Sequence, residues 1–276
     1  MKKANLLWKI FVYVMLTLGA VVMLFPLVWM ISVSLMTNIE VEHAGVWWPA
    51  VPQWHNYIET FSTLPFGRWT MNTIIITFST IVGALLSNTL VAYGFARFHA
   101  KGRNVLFMVM LATMMLPSTV TMIPLFIIFR DLGWVNTFRP LIVPAFFGNA
   151  FFIFLLRQFF MGLPTELEDA AKIDGLGTLG ILVRIMLPLM LPALTTVAIF
   201  QFNGAWNDFM GPLIYLNRHE TFTLALGINF FRGQHHVQWN FLMVASLVSM
   251  LPSLIIFFLG QKYFIEGISV SSGVKG

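Results

Sequence analysis

The 276-residue sequence contains no cysteine and few charged residues. The absence of cysteine excludes a disulfide framework and thiol chemistry. Charged residues make up 10% of the chain, whereas soluble domains carry roughly a quarter. Hydrophobic residues make up 58% of it, more apolar surface than one water-soluble core of this length can bury. The composition therefore predicts a protein that resides in a lipid bilayer.

The sequence also lacks the elements of several enzyme and carrier classes. No phosphate-binding loop of the form G-x-x-x-x-G-K-[ST] occurs, so any energised work must draw on a partner or an ion gradient. No cluster combines a nucleophile, a base and metal ligands, which disfavours a membrane enzyme. The net charge of +5 arises from basic residues that flank apolar segments, so nucleic-acid binding is not expected.

Six apolar segments are long enough to cross a hydrocarbon layer, which needs about 20 helical residues. They cover residues 10–35, 70–96, 104–129, 140–161, 182–207 and 241–261. Helix is expected throughout because backbone groups in lipid must be hydrogen-bonded within the chain. The sequence thus predicts an all-α polytopic membrane protein, residues 1–276, with six transmembrane helices in a single domain. The first segment is too long for a signal-peptide core, so cleavage is not expected.

Lysine and arginine counts predict the orientation of these segments. With the N-terminus inside, eleven of the 16 basic residues fall on the inner side and five on the outer side. This positive-inside bias places both termini in the cytoplasm. Trp47, Trp48, Trp54 and Trp69 lie in or beside the first outer loop, where tryptophan is typical of interfacial anchoring.

An acidic segment lies in the inner loop between the fourth and fifth spans. Pro164 suits the first position of a helix, and Glu166, Glu168 and Asp169 follow where negative charge suits the helix dipole. Gly175 can end the helix in a left-handed conformation. These features predict a short cytoplasmic helix over about 164–175, with the small residues Ala170 and Ala171 permitting close approach of a partner.

This segment resembles the EAA motif of type I ABC importer permeases, the membrane subunits of binding-protein-dependent transport systems. Asp169-Ala170-Ala171, Gly175, Ile185 and Leu187-Pro188 match at the motif's spacing, with Asp169 where the motif has glutamate. The longer run ELEDAAKIDGLGTLGILVRIMLPLMLPAL is similar to the carbohydrate-uptake, maltose-transporter branch. So are the residues from Ala205 to Phe209 and the ending from Ser272 to Gly276.

The resemblance implies a single permease domain whose acidic segment is the coupling helix. That helix would contact a cytoplasmic ATPase subunit through Glu166, Leu167, Glu168, Asp169, Ala170, Ala171, Asp174, Gly175, Ile185, Leu187 and Pro188. The implied assembly is a second homologous permease, two ATPase subunits, an extracytoplasmic solute-binding protein and a carbohydrate substrate, in the cytoplasmic (inner) membrane of a prokaryote. ATP and Mg²⁺ would bind the ATPase, and no cofactor would bind this chain.

Two further segments acquire a role through the resemblance. The tail residues Gly273, Val274, Lys275 and Gly276 would contact the ATPase dimer, although alone they are typical of a disordered end. The long outer loop would reach the docked binding protein through Phe231, Arg232, Gly233, Gln234 and His235. The adjacent His235 and His236 have no third ligand nearby, so a metal site is not expected.

Polar residues inside the spans are candidates for the substrate path, because their burial in lipid is costly. The set is Asn72, Asn88, Tyr93, Asn203, Trp206 and Asn207, with Asn149 and Gln201 as further polar positions. Hydrogen bonding between helices is the alternative for each of them. Two functions of different classes stay open: an ATP-driven importer of a carbohydrate or another solute (a polyol, glycerol phosphate or amino acid), and an ion-coupled carrier or channel. No span centre holds an ionisable residue, which disfavours the second.

Overall fold

The structure, a computed structural model, describes the backbone of residues 2–43, 45–232 and 237–271, and their side chains except at 2–5, 7 and 262–271. Every regular element in these ranges is helical. The α-helices are α1 (Lys2–Ser34), α2 (Asn38–Glu42), α3 (His55–Thr63), α4 (Phe66–Arg97), α5 (Arg103–Ala112), α6 (Ser118–Asp131), α7 (Arg139–Ile142), α8 (Ala150–Gly162), α9 (Glu166–Ile173), α10 (Thr178–Ile181), α11 (Leu187–Leu189), α12 (Leu191–Trp206), α13 (Met210–Tyr215), α14 (Leu224–Ile228) and α15 (Trp239–Ser271).

Four helical segments of the described chain are long and apolar enough to cross a membrane. They are Trp8–Ser34, Phe66–Arg97, Arg139–Gly162 and Trp239–Gln261. Two bent pairs also pass this test, which raises the number to six if each pair is one span. The protein is therefore all-helical over these ranges, with four to six candidate spans.

The third and fifth spans predicted from hydropathy correspond to the two bent pairs of helices. Helices α5 and α6 meet at 98°, and the helix over Thr178–Leu189 meets α12 at 79°. Leu116 has the extended conformation (φ −79°, ψ 118°) that a following proline favours, and α6 begins after Pro117. Pro192 lies in the first turn of α12, where its missing N–H leaves no hydrogen bond unmade.

The described residues fall into two compact units. One contains the described residues among 2–66 and 228–251, and the other contains those among 67–227 and 252–271. In the first unit the buried Asn56 of α3 donates to the carbonyls of Ser34 and Met36, both at 2.9 Å, and accepts from Asn240 at 3.4 Å. These bonds satisfy the carbonyls at the end of α1 and hold α3 against it.

The second unit contains the apolar core that positions the acidic helix. Its buried cluster is built from α4, α8, α9 and the helices after α9, and includes Ala92, Tyr93, Leu156, Phe160, Ala171, Met186 and Val197. Ala84 of α4 and Ala193 of α12 are also buried in this cluster, and small residues are usual where helices pack in membrane bundles.

The four tryptophans predicted to anchor the interface do not share one environment. Trp47, Trp48 and Trp54 are largely exposed, which suits that role. Trp69 is 0% exposed, and its indole N–H donates to the carbonyl of His219 at 2.8 Å. Trp69 is thus a packing residue of the second unit, and the anchoring prediction was wrong for it.

Candidate functional site

The acidic helix of the inner loop is α9 (Glu166–Ile173), eight residues long. Its first turn carries Glu166, Glu168 and Asp169 and its last turn Lys172, an arrangement that suits the helix dipole at both ends. The helix is shorter than the predicted 164–175, because Thr165 is its N-cap residue and Pro164 lies outside it. The predicted helix is therefore present, but it starts two residues later and ends two residues earlier than predicted.

Gly175 ends α9 in the left-handed conformation that the sequence predicted, with φ at +80°. Its N–H donates to the carbonyl of Lys172, and the N–H of Leu176 donates to that of Ala171, both at 3.0 Å. This is the Schellman pattern, which satisfies the last carbonyls of a helix. A Cβ at position 175 would meet no atom within 4 Å. Glycine is therefore needed there for its backbone freedom and not for space.

The helix has one buried face and one exposed face. Glu168 and Ala171 are buried three positions apart, and Ala171 belongs to the same apolar cluster as Tyr93 and Phe160. The other candidate coupling residues of the helix are exposed: Glu166, Leu167, Asp169, Ala170 and Asp174. Ile173, which was not among the candidates, is 88% exposed.

Glu168 is buried because it forms an ion pair with Arg97, the last residue of α4. The Nε atom of Arg97 lies 2.9 Å from Oε1 of Glu168, and the two side chains are 8% and 10% exposed. The N–H is not directed at that oxygen, so the contact is an ion pair without an aligned hydrogen bond. Arg97 also donates through Nη2 to the carbonyl of Leu163 at 2.8 Å.

Arg97 was counted in the sequence only as an inner basic residue. Arg97 directly follows the second predicted span and the loop after it is basic, so no local feature of the sequence indicates an acidic partner. Sequence separation hides the pairing, because the two residues lie on different helices far apart in the chain.

The motif carboxylate Asp169 makes a different contact. It accepts a hydrogen bond from Nζ of Lys172 at 2.9 Å, one turn further along the exposed face. This hydrogen bond raises the pKa of Lys172 above its ordinary value. An exposed pair of this kind contributes little to stability. Breaking the Asp169–Lys172 pair therefore costs little free energy, so Asp169 is available to pair with a partner protein instead.

The remaining motif residues lie on the helices after α9. Ile185 and Leu187 are half-buried and pack on the apolar cluster, and Pro188 is exposed. Ile185 lies in a π-helical turn (Leu182–Met186), a form often found at functional sites. The 79° bend follows immediately, so these residues form the corner between the acidic segment and α12.

The polar residues of α4 make contacts that hold helices and loops together. Asn72 donates to the carbonyls of Glu220 and Phe222 at 2.8 and 2.9 Å. Tyr93 is buried, with its ring 5.3 Å from that of Phe160. Asn88, 0% exposed, donates to the carbonyl of Ala84 and accepts from the backbone N–H that begins α8.

Asn88→Leu is expected to destabilise the protein rather than to weaken substrate affinity. The Oδ1 atom of Asn88 accepts from the N–H of Asn149 at 2.6 Å in a part-buried contact, and Asn88→Leu removes this hydrogen bond. The loss of one hydrogen bond costs about 0.5–1.5 kcal/mol. The melting temperature in detergent measures this effect.

Asn203→Leu is the matched control, because Asn203 is exposed and its amide donates only to Ile199 within its own helix. We expect the free energy of unfolding of this variant to lie within about 0.5 kcal/mol of the wild-type value. A normal melting temperature for Asn88→Leu, together with weaker transport affinity, would instead assign Asn88 to the substrate path.

Asn203 and Asn207 form a separate, exposed pair on α12. They lie one turn apart, and the amide of Asn207 donates to the carbonyl of Asn203 at 3.0 Å. Trp206 is buried and stacks on Phe202, with ring centroids 5.4 Å apart. Asn203 and Asn207 are therefore exposed, with their amides donating within α12, whereas Trp206 is buried and packs on Phe202.

A cavity of about 150 Å³ lies beside this end of α12. Its polar lining comes from Thr80, Gln201, Asp208 and Thr223. Burial raises the pKa of Asp208, and hydrogen bonds from the N–H groups of Gly211 and Met210 oppose that shift. The carboxylate thus caps the start of α13 from within the cavity.

The outer-loop residues lie partly outside the described ranges. Phe231 is buried in the first unit, with its ring 6.0 Å from that of Phe241, and Arg232 is exposed. Gly233, Gln234, His235 and His236 lie outside the described residues, as do Gly273, Val274, Lys275 and Gly276. Within the described residues, no three His, Cys, Asp or Glu side chains are placed to hold a metal ion.

Residues 88–270 match the family model described as "Binding-protein-dependent transport system inner membrane component". The chain is 35% identical over 270 residues to the arabinooligosaccharides transport system permease protein AraQ of Halalkalibacterium halodurans, covering 95% of this chain and 96% of that protein. It is 32% identical over 277 residues to the trehalose/maltose transport system permease protein MalG of Thermococcus litoralis, covering 95% and 97%.

A solved structure shares the fold. It is the crystal structure of a bacterial ABC transporter involved in the import of the acidic polysaccharide alginate, with a TM-score of 0.84, 25% identity and coverage of 95% of this chain and 98% of that one. The family match spans α9 and the corner that follows it. The chain therefore belongs to the inner membrane components of binding-protein-dependent transport systems, and is a multi-pass membrane subunit of an ABC importer rather than a catalytic subunit.

Proposed function

We propose that this chain moves a carbohydrate, delivered by an external binding protein, across the cytoplasmic membrane by alternating access. The observation that carries this proposal is the form of α9. One face is held in the apolar core and by Arg97, and the other presents Leu167, Asp169 and Ile173 to solvent. A rigid, half-docked helix of this kind suits transmission of movement from a separate motor subunit.

The proposed topology has six spans, each bent pair counting as one, with both termini in the cytoplasm. This arrangement follows the positive-inside bias and places α9 on the cytoplasmic side. Residues 1–276 then form one permease domain. The proposed partners are a second homologous permease, two ATPase subunits that bind ATP and Mg²⁺, and the binding protein.

The proposed mechanism assigns different tasks to the two faces of α9. Glu166, Leu167, Asp169, Ala170 and Asp174 contact the ATPase, while Glu168 and Ala171 hold the helix to the permease. When ATP closes the ATPase dimer, α9 moves with it. Gly175 and the corner formed by Ile185, Leu187 and Pro188 then pass this movement to α12, which changes the side to which the central path opens.

A carbohydrate is proposed as substrate because the relatives are named for arabino-oligosaccharides and for trehalose and maltose. The exposed amides of Asn203 and Asn207 are suited to hydrogen-bond sugar hydroxyls. Asn72, Asn88, Tyr93 and Trp206 support the helices that line the path. Arg232 and the following loop residues would reach the binding protein from a base formed by Phe231, and the tail from Gly273 to Gly276 would contact the ATPase.

The test is reconstitution of the chain with its sister permease, ATPase and binding protein in vesicles. Uptake of an oligosaccharide is expected only when ATP is present inside and the binding protein outside. The same vesicles loaded without ATP are the control, and a polyol, glycerol phosphate and an amino acid test the alternative solutes. Uptake by this chain alone, driven by an ion gradient without ATP, would establish the carrier function instead.

A further inference from the structure

Three contacts link the inner end of α4 to α9 and to Leu163, which directly follows α8. Arg97 pairs with Glu168, Arg97 donates to the carbonyl of Leu163, and Ala171 packs in the cluster that contains Tyr93. Tyr93 and Arg97 lie four positions apart on α4, so they share one face of that helix. This face of α4 therefore contributes a residue to the apolar cluster that contains Ala171 and the arginine that pairs with Glu168.

The chain itself does not connect these two helices directly. Helix α9 follows α8 and precedes α10, whereas α4 ends with Arg97 well before either of them. Movement of α9 reaches α8 and α12 through the backbone, but reaches α4 only through side-chain contacts. The ion pair with Glu168 and the hydrogen bond to the carbonyl of Leu163 are polar contacts that Arg97 contributes to that connection.

The burial of both charges makes the ion pair specific. Within the described residues, Arg97 Nε and Glu168 Oε1 have no hydrogen-bond partner, so each depends on the opposite charge. Removing one member leaves the other buried and unpaired, which is far more unfavourable than removing both. The neighbouring exposed carboxylates Glu166 and Asp169 cannot replace Glu168 without turning the helix away from α4.

We infer that Arg97 is a positioning residue for energy coupling. By holding Glu168, it keeps α9 attached to α4 while the exposed face of α9 is moved by the ATPase, so α4 moves together with α12. This inference rests on the proposed function of α9, and concerns how its movement is divided among the spans.

Arg97→Gln in the reconstituted importer tests the inference. The measured quantity is solute transported per ATP hydrolysed, after correction for the amount of inserted protein. We expect this ratio to fall about tenfold, within the range of coupling energies for contacting charged residues. Glu168→Gln is expected to lower it similarly, and the double variant Arg97→Gln/Glu168→Gln to lower it no further than either single change, because all three variants lose the same contact.

Lys101→Gln is the matched control, an exposed basic residue in the loop just after Arg97, and should keep the wild-type ratio. An unchanged ratio for Arg97→Gln overturns the inference, as does a proportional loss of uptake and ATP hydrolysis, which indicates a merely structural role. Failure of the wild-type assembly to transport with ATP would instead contradict the proposed function.

A second measurement needs no partner subunit. The chain has no cysteine, so Ile173→Cys provides a single attachment point for a spin label on the exposed side of α9. In the detergent-solubilised full chain, Arg97→Gln is expected to make this label more mobile, and the double variant to give the same increase, because neither retains the ion pair. Equal mobility in all three backgrounds would show that Arg97 does not hold α9.

Discussion

Gly175→Leu is expected to abolish ATP-driven uptake while the protein is still inserted in the membrane. The residue has φ at +80°, which costs about 1–2 kcal/mol for a residue with a Cβ. A leucine at position 175 relieves this strain by changing its φ and ψ angles. This change breaks the hydrogen bonds that the N–H groups of residues 175 and 176 donate to the last carbonyls of α9. Uptake in reconstituted vesicles and the amount of inserted protein are the two measurements.

Gly177→Leu is the control for this prediction, because Gly177 lies two residues away with φ at −74° and has no atom within 4 Å of a built Cβ. It should retain most of the uptake. Gly175→Asn should retain more uptake than Gly175→Leu, since asparagine tolerates the left-handed conformation. Normal uptake by Gly175→Leu would refute the coupling role of this helix end.

Gly227→Val is expected to prevent stable folding of the second unit. A Cβ at Gly227 would overlap the indole of Trp69, which is 0% exposed and held by its bond to the carbonyl of His219. Insertion of even one methyl group into a packed site costs about 1–3 kcal/mol, and valine adds more. Melting temperature and the yield of monodisperse protein in detergent measure the loss.

Gly67→Ala provides the comparison, because it lies at the start of α4 with no atom within 4 Å of its added methyl group. It should melt like the wild type. The double variant Trp69→Phe/Gly227→Ala should be more stable than Gly227→Ala alone, because the ring of phenylalanine is smaller than the indole that the added methyl group overlaps. A Gly227→Ala protein that melts as the wild type would show that Trp69 is not confined there.

The acidic helix was predictable because its signals are local. Three acidic residues in the first turn and a glycine after the last turn determine where α9 begins and ends to within two residues. The functions of its carboxylates were not predictable in the same way. Glu168 and Asp169 are adjacent and chemically alike, and only the packing of α9 against α4 buries the first with Arg97 and exposes the second.

The span asparagines show a second limit of sequence. Asn88 and Asn203 are alike in a hydropathy profile, since both interrupt an apolar helix. In the structure Asn88 is fully buried and bonded to the start of α8, whereas Asn203 is exposed and bonded only within its own helix. Whether such an asparagine packs against the protein or contacts substrate depends on the residues that face it from other helices. These residues lie far away in the sequence.

The sequence alone determined that this protein is helical and resides in a membrane, because apolar content and the need to satisfy backbone groups in lipid are properties of each segment by itself. It also determined the position of α9, through charges and a glycine within a dozen residues. Only the tertiary structure decided the 98° and 79° bends, the burial of Trp69 and the pairing of Arg97 with Glu168. These depend on which distant side chains meet, and helix propensity and hydropathy carry no information about direction or partner.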